Sequence, residues 1–187
     1  MTNEQVIKSL FLSLIFLLIP YVESRTEDHI DFISDCSSVY FLMAFVEEEE
    51  LQAYSRHLSD LGEIFLEIAG YIDSLKNNSN KTFGYWTDLR NKKADKIIAK
   101  FSSDKEDVIN LYMRCDIVRI RMNKIFDKSG KINQELLENF IENFSIPKRI
   151  SSNQKVLQIE QMLDLSMKNL EKYQITSIVE FYKNLNR

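Results

Sequence analysis

Two cysteines, Cys36 and Cys115, and two histidines, His29 and His57, are the side chains with the most specific chemistry in this chain. Cysteines can bridge, exchange or bind metal. No Cys-x-x-Cys occurs, so disulfide exchange lacks its usual arrangement. Helical carboxylates can hold two metal ions where Glu-x-x-His recurs, but position 26 is Thr and position 54 is Tyr, so neither histidine completes that pattern. There is no His-Glu-x-x-His, and the two histidines do not share a helical turn, which leaves zinc no ligand set. The chain also lacks Gly-x-Ser-x-Gly, a phosphate-cradling glycine loop and a dinucleotide fingerprint. With only four glycines, close backbone approach to a cofactor is hard to arrange. These residues therefore point to no catalytic residue, no cofactor and no metal. An enzymatic alternative would need carboxylates that only the fold brings together.

Two stretches suit contact with a partner. Glu47, Glu48, Glu49 and Glu50 place like charges side by side, which costs energy unless a basic partner or solvent relieves it. Glu135, Glu138 and Glu142 read as a solvated helix face. "NKTFGYWTD" gathers Phe83, Tyr85 and Trp86 around Gly84. Aromatics at an element boundary can anchor a partner; equally they can close the end of a helical core, and their size favours that second reading. The basic stretch Arg90–Lys100 reads as the wet face of its helix. Net charge is −4, against the basic surface of a nucleic-acid binder, and no nucleic-acid partner is expected.

The leading segment sets the compartment. Leu10–Ile19 carries no charge, follows Lys8 and stops at Pro20. That is shorter than the roughly 20 apolar residues a spanning helix needs. A short positive region, an apolar core and small residues before a cut fit a secretory signal, with Val22 and Ser24 at the cleavage positions. Residues 1–24 are thus expected to be a signal peptide, leaving Arg25–Arg187 as a single helical domain. The alternative retains residues 10–22 as a membrane anchor with the rest facing outward.

The elements that must position these side chains are helices. Leu51, Tyr54, Leu58, Leu61, Phe65, Ile68, Ile72 and Leu75 alternate steps of three and four, a heptad seam ending at "KNNSNK". Val108, Leu111, Cys115, Val118, Met122 and Ile125 form a second seam. Ser103 and Glu106 open it as a capping box, and Gly130 is placed to close it. Phe32, Cys36, Val39, Met43 and Val46 give a third, apolar on every face over Val39–Val46, hence a central and heavily covered helix. Thr82–Phe101 adds a fourth, with Trp86, Leu89, Ile97, Ile98 and Phe101 inward. Asn133–Phe144 carries an N-cap Asn133 and an apolar stripe, and Pro147 follows. The tail reads as one long helix or two, with a break near Tyr173–Thr176. The fold expected is all-α: an antiparallel four-helix-bundle core over residues 27–128 and a helical extension over 131–187 packed against it.

Both cysteines lie on seams and face one core. In an oxidising compartment two such thiols pair, and a bridge closing roughly 80 residues would stabilise the fold by about 4 kcal/mol in the chain-entropy model. In a reducing one they would stay buried free thiols. "DCSSVYFLMA" around Cys36 resembles the pattern of Cys, two small residues and aromatics found near the start of small exported proteobacterial proteins. "YMRC", Tyr112 to Cys115, resembles their second cysteine block. The resemblance covers about residues 28–126 and leaves the tail from Lys131 outside. It implies export to the periplasm or beyond, an all-helical fold and a Cys36–Cys115 bridge, and brings no activity. The function expected is that of an exported, non-enzymatic protein acting on a protein partner or as an envelope component. A membrane-tethered envelope regulator is the alternative if residues 10–22 are kept.

Overall fold

The computed structural model describes residues 29–46, 52–126, 131–150 and 155–185. The expected signal or anchor, the Glu47–Glu50 cluster, Leu51 and the Gly130 cap lie outside the described residues. The helices are α1 (29–43), α2 (Gln52–Asn77), α3 (Phe83–Ser103), α4 (Lys105–Met122, continued by a 3-10 turn Asn123–Ile125), α5 (Gln134–Glu142), α6 (Lys155–Lys172) and α7 (Ile178–Leu185). The fold is all-α: a four-helix-bundle core of α1–α4, additional C-terminal helices and one disulfide.

α1 is the central rod. Ile33, Cys36, Val39, Tyr40, Leu42 and Met43 are fully buried on it, as all-round apolarity predicts. Three serines let neighbours come close. Ser37 Oγ donates to the Gly62 carbonyl of α2 at 2.6 Å, and Ser38 Oγ donates to the Arg90 carbonyl of α3 at 3.0 Å. Ser34 Oγ donates back to the Ile30 carbonyl at 2.8 Å. At Gly62 a Cβ would stand 3.1 Å from the Ser37 carbonyl oxygen, so glycine sets the α1–α2 spacing.

α1 ends three residues earlier than its apolar pattern suggests. Ala44 turns, and Phe45 and Val46 leave the helix although Val46 stays buried. The physical reason is that side chains from elsewhere take the terminal carbonyls. Ser166 and Asn169 of α6 donate to Met43 O (3.3 Å) and Phe45 O (2.8 Å), and Ser55 of α2 donates to Ala44 O. With those oxygens satisfied, the helix has no need of a further turn.

α3 and α4 are joined by one residue. Asp104, with φ −148°, closes α3 through its N–H to Lys100 O (2.7 Å) and opens α4 through its carboxylate, which accepts from Asp107 N (3.1 Å). The cap is therefore Asp104 rather than Ser103, which still belongs to α3 and bonds back to Lys100 O. Further along, Asn133 caps α5 by accepting from Leu136 N at 3.1 Å. α5 stops at Glu142, before Pro147, and the Pro147 carbonyl accepts from Arg114 Nε at 2.7 Å.

The tail is two helices. α6 buries Ile159, Leu163, Ser166 and Leu170 at helical spacing. Its C-terminus is a Schellman turn: Ile175 N donates to Leu170 O (2.8 Å) and Gln174 N to Glu171 O (2.9 Å), with Gln174 at φ 57°. α7 then docks on α3, where Asp95 accepts from Ser177 Oγ (2.7 Å) and Ile178 N (2.6 Å). One cluster of buried side chains runs from Ile30 through α1–α4 to Leu137, Leu163 and Ile178. The C-terminal helices thus complete the bundle's core.

Candidate functional site

Cys36 and Cys115 form a disulfide, with Cα atoms 5.3 Å apart and both residues fully buried. It joins α1 to α4 at the centre of the core, beside Tyr40, which stacks on Phe65 and meets Tyr112 edge-on. The bridge is structural by position: no solvent reaches it.

The α2–α3 end carries the more chemical arrangement. α2 closes with Asn77, and Asn78 takes the left-handed conformation (φ 49°) that asparagine tolerates. The chain then crosses to Thr82, whose Oγ1 caps α3 by accepting from Tyr85 N at 3.3 Å. This turn aims the first turn of α3 back over α2. Trp86 lies on Gly70, where a Cβ would come 3.0 Å from its indole nitrogen and press on the ring. Trp86 is accordingly 4% exposed, whereas Phe83 and Tyr85 are 58% and 44% exposed. The sequence treated these three aromatics as one group, but the structure divides them. Trp86 closes the core, and Phe83 and Tyr85 form an outward ledge.

Below the ledge is a cavity of about 400 Å³ between the start of α1, the end of α2 and the start of α3. Its walls include Asp31, Asp73, Asn77, Lys81, Tyr85 and Trp86. The Asp73 carboxylate is buried at one wall. Asn77 Nδ2 donates to its Oδ1 at 2.7 Å, and Lys81 Nζ pairs with its Oδ2 at 3.0 Å. The Lys81 ammonium also stands over two rings, 4.8 Å from the Tyr85 centroid and 5.4 Å from that of Trp86. Burial alone would raise the Asp73 pKa, but hydrogen bonds from Ser79, Asn77 and Lys81 outweigh it and hold the carboxyl below its ordinary range. The hydrogen bond to Asp73 in turn keeps Lys81 above the ordinary lysine range, against burial. Cation, carboxylate and two aromatic faces thus converge on one point.

A second charged cluster corrects the reading of Arg90–Lys100 as a wet face. Arg90 and Lys93 are buried, while Lys92, Lys96 and Lys100 are exposed. Lys93 Nζ pairs with Asp31 (2.6 Å) and Asp35 (2.7 Å) of α1. The Arg90 guanidinium lies 4.1 Å above the Phe41 ring. Burial raises the Asp35 pKa despite the pull of Lys93. A neighbouring cavity of about 300 Å³ has its charges paired: Lys100 with Asp107, Asp31 and Asp35 with Lys93, and Arg114 with the Pro147 carbonyl.

His29 opens α1 with its ring edge-on to Phe144 at 4.8 Å, and His57 is exposed on α2. Among the described residues no group of three or more His, Cys, Asp or Glu is spaced to hold a metal ion, and no helix is long and apolar enough to cross a membrane. Asp73, Asn77 and Lys81 were not singled out from the sequence. The available signal was a second stripe on α2, Gly62, Leu66, Ala69 and Asp73, in which an acid ends a row of small and apolar residues. Comparison with protein-family models, curated proteins and solved structures returns no match for this chain.

Proposed function

We propose that this is an exported, non-enzymatic helical protein that acts by binding another protein through its α2–α3 end. The observation that carries the reading is the ledge: Phe83 and Tyr85 stand in solvent on a helix turn whose next residue, Trp86, is locked into the core. A rigidly mounted aromatic pair offers large contact area at little ordering cost, the usual anatomy of an interface anchor. Export is supported by the buried bridge, which forms and persists in oxidising compartments, and by the signal-like pattern of residues 1–24. The resemblance around Cys36 and Cys115 agrees with a periplasmic or secreted location.

The test is photocrosslinking in the producing cell, with benzophenone-alanine at position 83 or 85 and, as controls, at Leu157 and Ile120, which are 60% and 51% exposed elsewhere. A discrete adduct from the ledge and not from the controls is expected. The purified pair should then lose at least about tenfold in affinity on Phe83→Ala with Tyr85→Ala. Adducts that do not depend on position would overturn the reading. The N-terminal mass of the purified protein separates release from tethering: a start at Arg25 fits an exported soluble protein, and a start at Met1 fits an anchored regulator.

A further inference from the structure

We infer that the cavity beneath the ledge is a recognition site for an ammonium group, held closed by the chain's own Lys81. Recognition of a substituted ammonium calls for electron-rich ring faces around the charge and a carboxylate nearby. All are present and already engaged. The Lys81 Nζ sits 4.8 Å and 5.4 Å from the Tyr85 and Trp86 centroids, and 3.0 Å from Asp73 Oδ2. Asp73 is 2% exposed, a carboxylate committed to the interior and aimed at the cavity. Asp31, also on the cavity lining, is 64% exposed but already paired with Lys93 at 2.6 Å, so Asp73 is the carboxylate that an incoming ammonium would meet.

The occupant is built to leave. Lys81 comes from the short connection between α2 and α3, its side chain is 39% exposed, and its stem is not part of the core. The other parts of the cage sit on helices: Asp73 on α2, and Tyr85 and Trp86 on α3 over Gly70. Rotating Lys81 into solvent would free the Asp73 carboxylate and the two ring faces, which border a cavity that already measures about 400 Å³ with Lys81 in place. A tethered lysine competes as a ligand at an effective concentration on the order of millimolar or above. An outside ammonium therefore binds weakly until Lys81 is displaced. The chemistry suits either the lysine side chain of a partner resting on the ledge or a free small amine. The first source depends on the partner-binding reading, and the second does not.

Trp86 is the only tryptophan in the chain, beside eight tyrosines, so fluorescence excited at the red edge, where tyrosine does not absorb, reports this cage. The experiment titrates the full-length exported protein and its Lys81→Ala variant with choline chloride and with Nα-acetyl-lysine methylamide, against sodium chloride at equal ionic strength. Lys81→Ala is expected to give a saturable Trp86 change with at least about tenfold tighter binding than the unsubstituted protein. Adding Asp73→Asn should weaken it about tenfold, and adding Tyr85→Leu about fivefold. Lys81→Met provides a second open-cage variant should Lys81→Ala lose its helical circular dichroism. Preference for the lysine analogue points to a partner's side chain, and preference for choline to a free quaternary amine. A response no greater than that of sodium chloride in both open-cage variants, or one indifferent to Asp73→Asn, overturns the inference. Because no partner is present, failure here leaves the photocrosslinking result standing on its own, and the reverse holds too.

Discussion

Lys93 shows how far one side chain can depart from the pattern of its segment. It shares a basic run with Lys92 and Lys96, yet it is buried between two aspartates of α1 while they face water. Truncating one partner of a buried ion pair strands the other charge, whereas an exposed lysine contributes almost nothing. Lys93→Ala is therefore expected to lower unfolding free energy by about 2 kcal/mol, and Lys92→Ala by less than about 0.5 kcal/mol, in urea titrations. Asp73 gives the pH dependence of the cage. Its folded pKa lies below the ordinary 3.8, so its contribution is complete above that value and is lost as pH falls through the folded one. Lys81 lies above the ordinary 10.5, so its contribution is complete below that value and is lost as pH rises through the folded one. Between these limits the pair is intact. Stability of the Asp73→Asn variant should consequently fall less steeply than that of the unsubstituted protein between pH 4 and pH 2, as urea midpoints will show. A run such as "RNKKADK" does not reveal which lysine is inside. That depends on Asp31 and Asp35, about 60 residues earlier, lying across from it, a pairing made by tertiary packing and not by local spacing.

Helix existence was legible in the chain and helix ends were less so. The seams on α1, α2 and α4 are written in steps of three and four, and their inner members Phe65, Ile68, Cys115 and Val118 are buried as that period requires. Tyr54 and Leu75, toward the two ends of the α2 seam, are exposed at 38% and 46%. The stop of α1 could not be read from "VYFLMAFV", since its terminal carbonyls are taken by donors from α2 and α6. Two glycine positions test the elements directly. Gly62→Ala would ordinarily gain about 1 kcal/mol of helix propensity. Here the new methyl meets the Ser37 carbonyl, one residue from the disulfide at Cys36 and unable to yield. A net loss of about 1 kcal/mol is expected, with α1 amides showing faster hydrogen exchange. Gln174→Gly should act in the opposite sense. Gln174 holds φ 57°, where a side chain is disfavoured, and glycine there should raise stability by about 1 kcal/mol in thermal unfolding without altering α6 or α7.

For the molecule as a whole, the bridge fixes the first helix to the fourth across 79 residues. In the chain-entropy model a loop of that length confers about 4 kcal/mol, a large share of the roughly 5–15 kcal/mol by which a domain is stable. Reduction is expected to lower the urea midpoint by about 1 to 4 M, and reoxidation should restore it. The pairing itself was legible, because both cysteines occupied seam positions, whereas the cage was not. Its parts come from three helices and a connecting turn, and nothing in their spacing brings Asp73, Lys81 and Tyr85 to one point. The side-chain caps on α1 bear on how the chain is made. Met43 and Phe45 wait for Ser166 and Asn169, which lie 123 and 124 residues downstream. A polypeptide emerging amino end first leaves those oxygens to water until almost its last helix has appeared. The end of α1 is thus finished late, and a ribosome halted before α6 would hold an α1 whose end has not been decided.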